Sequence, residues 1–276
     1  MKRANYLQIF RWCGLVIFLL MIAAPIYWLF ITAFKPEIDI FANPTQYLPG
    51  NITFEHFIDV WFGTSFPVFF RNSLLVAGTA GSITTIAATL AGYALAKFQF
   101  RLKSTVLFLL IATQMFPILL LVVPLFTQLA AWKLVNSLTG LILVYAAFNI
   151  PFCVLLMRGF FVDLPKELDE SAQIDGCGQF GAFWRIMLPL SLPGLAATLI
   201  FAFISAWNEL LFAVMLINSD SKKPLTIGLA SFIEKYNISW GLMCAGAVIA
   251  LIPIFVLFAY ILRYLTAGLV AGAVKG

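Results

Sequence analysis

Six stretches of the chain contain no Asp, Glu, Lys, Arg or His, and the shortest has 23 residues. In a helix, roughly 20 apolar residues rising about 1.5 Å each cross the ~30 Å hydrocarbon core of a bilayer. Helices and closed β-barrels are the structures that satisfy every backbone group in lipid. Barrel strands would alternate apolar and polar residues over segments of about ten residues, and these runs do not. The six runs are residues 12–34, 72–96, 104–132, 134–157, 186–208 and 236–262.

The composition also requires a lipid environment. Of the 276 residues, 62% are hydrophobic and 11% are charged, whereas a soluble domain carries about 25% charged residues. Such a chain has too few polar groups to cover its surface in water. The sequence therefore predicts an all-α polytopic membrane protein with six transmembrane helices.

The distribution of Lys and Arg predicts the orientation, because these residues concentrate in cytoplasmic loops. Eleven lie on the side that holds both termini, and six lie on the other side. Both termini are therefore predicted to be cytoplasmic. The eleven are Lys2, Arg3, Arg11, Lys97, Arg101, Lys103, Arg158, Lys166, Arg185, Arg263 and Lys275; the six are Lys35, Arg71, Lys133, Lys222, Lys223 and Lys235.

Small residues and prolines predict how the spans pack and bend. Gly81 with Thr85, and Ala88 with Gly92, have the small-xxx-small spacing that lets helix backbones approach closely. Proline lacks an amide hydrogen and bends helices. Bends are predicted at Pro117, Pro124 and Pro151.

The longest cytoplasmic connection has a helical pattern of its own. The Asp-Leu-Pro sequence at residues 163–165 carries start signals, since Asp is a good cap and Pro is tolerated in a first turn. Leu168 and Ala172 lie one turn apart on one face. Gly176 is a helix stop, because a residue in the left-handed region needs no Cβ. We predict a short amphipathic helix below the membrane, then a second one near residues 180–186.

This connection also carries a specific motif. Glu170-Ser171-Ala172 is followed after three residues by Gly176, and nine residues later by Ile186-Met187-Leu188-Pro189. The pattern resembles the E-A-A-x3-G-x9-I-x-L-P signature of ABC importer permeases at every spacing. Ser171 replaces the middle alanine, a change between small residues that leaves the helix surface nearly intact.

Further stretches resemble one branch of that family. Trp207-Asn208-Glu209, Arg71-Asn72-Ser73 and the C-terminal residues 268–276 are similar to carbohydrate-uptake permeases related to the smaller permease subunit of the maltose importer. The resemblance covers essentially the whole chain. It favours a sugar, such as an oligosaccharide or a sugar derivative, as the solute. The alternative is a permease of the same fold for a polyamine, a phosphate ester or a peptide.

The resemblance implies the type I ABC importer permease fold in a bacterial inner membrane. It implies a heterodimer with a second related permease, two ATPase subunits that use ATP and Mg, and an extracytoplasmic solute-binding protein. The inner-loop helix would dock on an ATPase, with Glu170 in polar contact and Ala172 and Gly176 allowing close approach. The implied coupling residues are Glu170, Ser171, Ala172, Gly176, Ile186, Leu188 and Pro189, and the C-terminal contacts with the ATPase are Gly272 and Lys275.

These predictions divide the chain into regions. The second short helix would lead through Pro189 into the fifth span. The regions are a cytoplasmic N-terminus at 1–13, a first span at 14–34, an outer loop at 35–71, a core of five spans at 72–264 with the coupling loop at 158–189, and a cytoplasmic tail at 265–276.

Polar side chains within apolar runs are candidates for the translocation pathway. Gln114 and Asn149 each lie about 15 to 16 Å along their runs, near the membrane midplane. Each either lines the pathway or forms an interhelical hydrogen bond. Asn208 and Glu209 either gate or contact solute, or cap a helix or form a pair such as one with Arg71.

Other functions lack the residues they need. The G-x-G-x-x-G sequence at 176–181 lies between two spans, whereas a dinucleotide site needs a preceding strand. No G-x-x-x-x-G-K-[ST] sequence occurs, so a partner must supply ATP hydrolysis. With His56 as the sole histidine and no C-x-x-C spacing, we predict no catalytic residue, metal site or bound cofactor. A membrane enzyme and a self-sufficient channel or carrier are the other classes; a channel or carrier would purify without an ATPase.

Overall fold

The computed structural model describes residues 2–165, 167–174, 176–233 and 238–273, and its regular structure is helical. Within this part, the one β interaction is an isolated bridge between Ile233 and Ile238. A π-helical turn covers Phe183–Met187 and a 3-10 turn covers Asp220–Lys222. The helices are α1 Lys2–Phe34, α2 Glu37–Ile40, α3 Glu55–Phe62, α4 Phe66–Lys97, α5 Lys103–Gln114, α6 Ile118–Ala131, α7 Leu138–Asp163, α8 Glu167–Ile174, α9 Gln179–Ala182, α10 Leu188–Leu190, α11 Leu192–Trp207, α12 Leu211–Leu216, α13 Leu225–Ala230 and α14 Trp240–Ala273.

Four of these helices are long and apolar enough to cross a membrane unaided. Two bent pairs bring the number of spans to six if each pair counts as one. The prediction of an all-α membrane protein is confirmed, and each charge-free run corresponds to one helix or one pair. The four helices span Phe10–Phe34, Phe66–Lys97, Leu138–Asp163 and Trp240–Leu262; the pairs are α5 with α6, and the helical segment Gln179–Leu190 with α11.

The third run is two helices that meet at 99°. Pro117 has no amide hydrogen and disfavours helical backbone at the residue before it. Accordingly, α5 ends at Gln114 and α6 begins just after the proline, at Ile118. Pro124 and Pro151 lie inside α6 and α7, which continue through them.

The fifth run is also broken, with a bend of 72°. The break is at Ser191, two residues beyond the Pro189 join that the sequence predicted. The Ser191 amide donates to the Met187 carbonyl oxygen at 3.0 Å, and its hydroxyl donates to the Leu188 carbonyl oxygen at 3.0 Å. Pro193 then favours a new start, since proline is tolerated in a first helical turn.

One compact unit comprises Met1–Pro67 and Gly228–Ile252. Its longest helix, α1, exposes apolar side chains between Phe10 and Ile22, as a lipid-facing span does. The chain after α1 folds back onto the end of that helix. There the Thr53 amide donates to the Phe34 carbonyl oxygen at 2.9 Å, and the Phe34 ring lies 4.8 Å from the Phe57 ring.

The other unit comprises Val68–Ile227 and Pro253–Gly276. The close approach predicted for the small residues of α4 is confirmed. A Cβ built on Gly92 would lie 2.8 Å from the Met157 Cβ and 2.9 Å from the Arg158 amide nitrogen of α7. A Cβ built on Gly81 would lie 3.4 Å from the Phe203 amide nitrogen of α11. Glycine therefore sets how closely α4 approaches both helices.

We expect Gly92→Ala to destabilise the protein by about 1–3 kcal/mol, because the added methyl group overlaps the α7 backbone. The apparent melting temperature of the purified protein in detergent measures this. Gly78→Ala is the matched control in the same helix, since no atom lies within 4 Å of its added Cβ. Equal melting temperatures for the two variants would contradict the close contact at Gly92.

Candidate functional site

The predicted inner-loop helix exists as α8, which begins at Glu167. The Leu168 amide donates to the Pro165 carbonyl oxygen at 3.4 Å, so the chain enters the helix from the predicted proline. The prediction that Asp163 caps this helix is wrong. Asp163 is instead the last residue of α7.

The predicted stop at Gly176 is confirmed by its backbone. Gly176 has φ +80°, in the left-handed region where a side chain is strained. The Cys177 amide donates to the Ala172 carbonyl oxygen at 2.9 Å, closing the helix end in the pattern of a Schellman motif. The end of α8 therefore depends on a glycine at this position.

The faces of α8 differ as an amphipathic helix requires. Ala172 is 1% exposed and Leu168 is half-buried, whereas Ser171 and Ile174 are exposed. Ala172 therefore faces this chain. Its role in close approach to an ATPase stays a prediction. Glu170 lies within α8, but its side chain is outside what the structure describes.

The remaining motif residues lie beside the core of the second unit. Ile186 lies in the π-helical turn, and Leu188 begins α10. Both pack against buried residues of the spans, and so does Leu168 of α8. Pro189 is exposed. The core they contact consists of Ala88, Tyr93, Leu95, Cys153, Val154, Met157, Phe161, Phe183, Met187 and Ala202.

The C-terminal candidates lie at the limit of the described chain. Gly272 is part of α14, which continues to Ala273. Lys275 lies outside the described residues.

Glu209 lies in a third break of the helices, between α11 and α12. Its carboxylate accepts hydrogen bonds from the Phe212 amide at 3.0 Å and the Ala213 amide at 3.3 Å. Its own carbonyl oxygen accepts from the Thr226 hydroxyl at 2.9 Å. Of the two alternatives, helix capping is the one that the geometry supports, and no ion pair joins Glu209 to Arg71 within 4.0 Å.

The break also separates two residues of the predicted motif. Trp207 is buried, and its ring stacks on Phe203 with 5.4 Å between the ring centroids. Asn208 is exposed beside it. Trp207 therefore anchors the end of α11 in the protein.

Asn149 and Glu209 line one cavity of about 230 Å³. Asn149 is 8% exposed, and its Nδ2 donates to the Tyr145 carbonyl oxygen at 2.8 Å. Both residues belong to α7. The Asn149 Nδ2 therefore bonds within its own helix and does not form the predicted interhelical hydrogen bond. The other lining residues are Ile118, Tyr145, Phe148, Ser205, Ala206, Leu211 and Phe212.

Gln114 lines a second cavity, of about 510 Å³. Ala147 and Pro151 of α7 share this lining. Because Pro151 has no amide hydrogen, the Ala147 carbonyl lacks its usual helical donor. Phe148 lines both cavities.

A polar clamp that the sequence did not predict fixes the segment after α12. The Asn136 Oδ1 accepts from the Ser219 amide at 3.0 Å, and its Nδ2 donates to the Ser219 hydroxyl at 2.6 Å. The Asn72 Nδ2 donates to the Ser221 and Lys223 carbonyl oxygens, both at 3.0 Å. Asn72 belongs to the Arg71-Asn72-Ser73 sequence that the sequence analysis singled out. The sequence did not indicate that its hydrogen-bond partners would be the Ser221 and Lys223 carbonyl groups.

Metal chemistry gains no support from the described residues. They contain no group of three or more His, Cys, Asp or Glu side chains arranged to hold an ion.

We expect Glu209→Ala to lower the apparent melting temperature by roughly 2–4 °C, because losing a helix cap costs about 1 kcal/mol. Asn208→Ala is the control, since its side chain is exposed and caps nothing. The measurement is thermal unfolding of the purified complex. If both variants melt alike, the carboxylate does not stabilise α12.

Comparison with known proteins adds the family. Residues 84–270 match the family described as "Binding-protein-dependent transport system inner membrane component". The chain is 36% identical to the diacetylchitobiose uptake system permease protein DasC of Streptomyces coelicolor, over all of both chains. It is 31% identical to the sulfoquinovosyl glycerol transport system permease protein SmoH of Agrobacterium fabrum, over 91% of this chain and 88% of that one. It is 29% identical to the trehalose/maltose transport system permease protein MalG of Thermococcus litoralis, over 95% of each.

Solved structures agree on the fold. A bacterial ABC transporter involved in the import of the acidic polysaccharide alginate contains a chain that matches with a TM-score of 0.82 and 22% identity, over 96% of this chain and 98% of that one. In this family the permease is the non-catalytic membrane component, it carries no bound cofactor, and the ATPase is a separate subunit. The chain belongs to the binding-protein-dependent transport system inner membrane components, and it is a multi-pass inner-membrane permease subunit of an ABC importer.

Proposed function

We propose that the chain forms half of the translocation pathway for an oligosaccharide or a sugar derivative, together with a second related permease. The support is the solutes for which its relatives are named: diacetylchitobiose, sulfoquinovosyl glycerol and trehalose or maltose are all sugars or sugar derivatives. Two ATPase subunits bind to the cytoplasmic side of the permeases, and an extracytoplasmic binding protein delivers the solute. A polyamine, phosphate ester or peptide is the competing solute class.

The proposed coupling element is α8. Transmitting a conformational change from the ATPase to the permease requires a rigid element that has different contacts in two states. The observation that carries the proposal is that α8 ends at the left-handed Gly176 while Leu168 packs against the core of the spans. A push on the exposed face of α8 therefore reaches the spanning helices through a packed contact.

The motif residues divide into two roles under this proposal. Glu170 and Ser171 contact the ATPase, while Ile186 and Leu188 connect the neighbours of α8 to the chain's own core. Ala172 is buried within this chain and keeps α8 close to it. Gly176 sets the end of the helix, and Pro189 lies on the exposed side of α10. Gly272 and Lys275 extend the ATPase contact from the C-terminus.

The proposed pathway runs past α7, whose residues line the two cavities. Amide groups of Gln114 and Asn149 offer both donors and acceptors, which suits sugar hydroxyls. Phe148 lies between the two cavities and stacks on Phe212 at 5.0 Å, so it offers a ring face next to those amides. Asn208 and Glu209 lie at the α11–α12 break, where Glu209 borders the smaller cavity.

We expect Gly176→Asp, and separately Glu170→Lys, to reduce uptake at least tenfold while the protein remains in the membrane. Aspartate at φ +80° is strained and disrupts the end of α8, and lysine reverses the charge at the ATPase contact. The measurement is uptake of labelled oligosaccharide by cells that express the complete importer.

Gly178→Asp is the matched control for this experiment. It adds the same charge two residues away, where φ is −65° and no atom crowds the added Cβ. Aspartate is also favourable at this position, because Gly178 is the N-cap of α9. Normal ATP-driven uptake in both Gly176→Asp and Glu170→Lys would refute the coupling role.

We expect Glu209→Gln to keep the wild-type melting temperature, because the amide oxygen of Gln still accepts hydrogen bonds from the α12 amides. Uptake then separates the two roles of the residue. Unchanged uptake assigns Glu209 to capping alone, and a tenfold loss at unchanged stability places the charge in the solute pathway.

The solute class is tested on the cognate binding protein. Calorimetric titration with a panel of oligosaccharides should give micromolar or tighter binding to at least one sugar. Binding of spermidine, a glycerol phosphate or an oligopeptide, and of no sugar, would replace the sugar assignment with that class.

A further inference from the structure

Lys35 is a buried cation at the end of the first span. It follows α1 directly and is 2% exposed. Its ammonium lies 4.9 Å from the centre of the Trp28 ring and donates a hydrogen bond to the Gln46 carbonyl oxygen. His56 Nε2 donates to the Lys35 carbonyl oxygen at 2.8 Å, which fixes the backbone beneath the side chain.

The charge of Lys35 is not neutralised by the part of the chain that the structure describes. No carboxylate there lies within 4.0 Å of its ammonium. Glu37 is two residues away, but its carboxylate lies 3.9 Å from His56 and is 57% exposed. An ammonium has three donors, and one carbonyl oxygen satisfies one of them. Burying a cation is costly unless it is paired and hydrogen-bonded, so this site favours an anionic partner.

The site has the size of a ligand-binding cavity. Lys35 lines a cavity of about 490 Å³, within the roughly 300–1,000 Å³ typical of small-molecule sites. Thr32 adds a hydroxyl group to the same lining. The other lining residues are Pro25, Trp28, Leu29, Ile40, Phe41, Trp240, Met243 and Cys244.

The lining changes from apolar to polar along α1. Pro25 and Lys35 are ten residues apart, which is about 15 Å along a helix. Leu29 lies between them, and Met243 and Cys244 from the first turns of α14 also line the cavity. An occupant of this cavity therefore meets a hydrocarbon-like surface at one end and a cation with a hydroxyl group at the other.

We propose that this cavity binds an anionic phospholipid, with its phosphate on Lys35 and Thr32 and the start of an acyl chain along Leu29. A lipid is the occupant whose chemistry changes over this distance as the lining does. The same helix, α1, lines the cavity from Pro25 onward and exposes apolar side chains from Phe10 to Ile22 in its earlier turns. Basic pockets between spanning helices bind lipid phosphates on the cytoplasmic side, and the same pairing of a phosphate with a cation would operate at Lys35 on the opposite side.

The preference for a net negative headgroup comes from the single uncompensated charge. A phosphatidylglycerol phosphate neutralises Lys35, whereas the choline cation of phosphatidylcholine opposes it. Because a hydrogen bond to a charged group is worth about 1.5–3 kcal/mol, losing the ammonium should weaken binding at least about tenfold.

The test is native mass spectrometry of the complete importer purified with equimolar phosphatidylglycerol and phosphatidylcholine. Wild-type complex should retain one more phosphatidylglycerol than Lys35→Met, and the affinity of the variant should be at least about tenfold lower. Lys35→Arg should restore retention, because it keeps the charge. Lys133→Met is the control, since it removes an exposed lysine on the same predicted side.

Each other outcome overturns the proposal. Equal retention of phosphatidylglycerol by Lys35→Met and wild type excludes a role for this cation in lipid binding. Displacement of the lipid by millimolar inorganic phosphate assigns the site to a free anion. A photoreactive residue in place of Leu29 should crosslink to lipid; crosslinking to the companion permease instead would assign the cavity to a protein contact.

Discussion

The aromatic contact among Tyr93, Phe161 and Phe183 joins the inner loop to the membrane-spanning helices. The Tyr93 ring lies 5.3 Å from the Phe161 ring and 4.7 Å from the Phe183 ring, so one side chain of α4 touches both α7 and the π-helical turn. Pairs of rings at such distances add about 0.5–1.5 kcal/mol each beyond the area they bury. Leu168 packs against the same core from α8. Without the packing of Leu168 on this core, α8 would be an isolated two-turn helix, which is too short to be stable alone.

Hydropathy predicted where the chain crosses the membrane but not where its helices break. The charge-free runs indicate which segments lie in lipid. They do not indicate where a helix breaks, because a broken helix in lipid is as apolar as a continuous one. Pro117 predicted a bend, and in the structure α5 and α6 meet there at 99°. The break at Ser191 was less readable, because it depends on bonds from one serine back to Met187 and Leu188.

Within the candidate site, local signals were predictable and distant partners were not. Gly176 was predicted as a helix stop from its lack of a Cβ, and its φ of +80° confirms this. The burial of Ala172 was not predicted, because the sequence does not indicate which neighbour a small residue faces. The clamp of Asn136 on Ser219 joins residues 83 positions apart, and no local pattern reports such a pair. For Glu209 the sequence left capping and solute contact open, and the observed bonds to Phe212 and Ala213 support capping.

The π-helical turn at Phe183–Met187 places one residue more in this part of the inner loop than a regular helix would hold. A π turn holds one residue more than the α-helical turn it replaces. The extra residue widens the turn locally, while the helical segments on either side keep nearly the same relative rotation. The wide turn is therefore a place where one residue could be lost while Leu168 still faces the core that contains Tyr93.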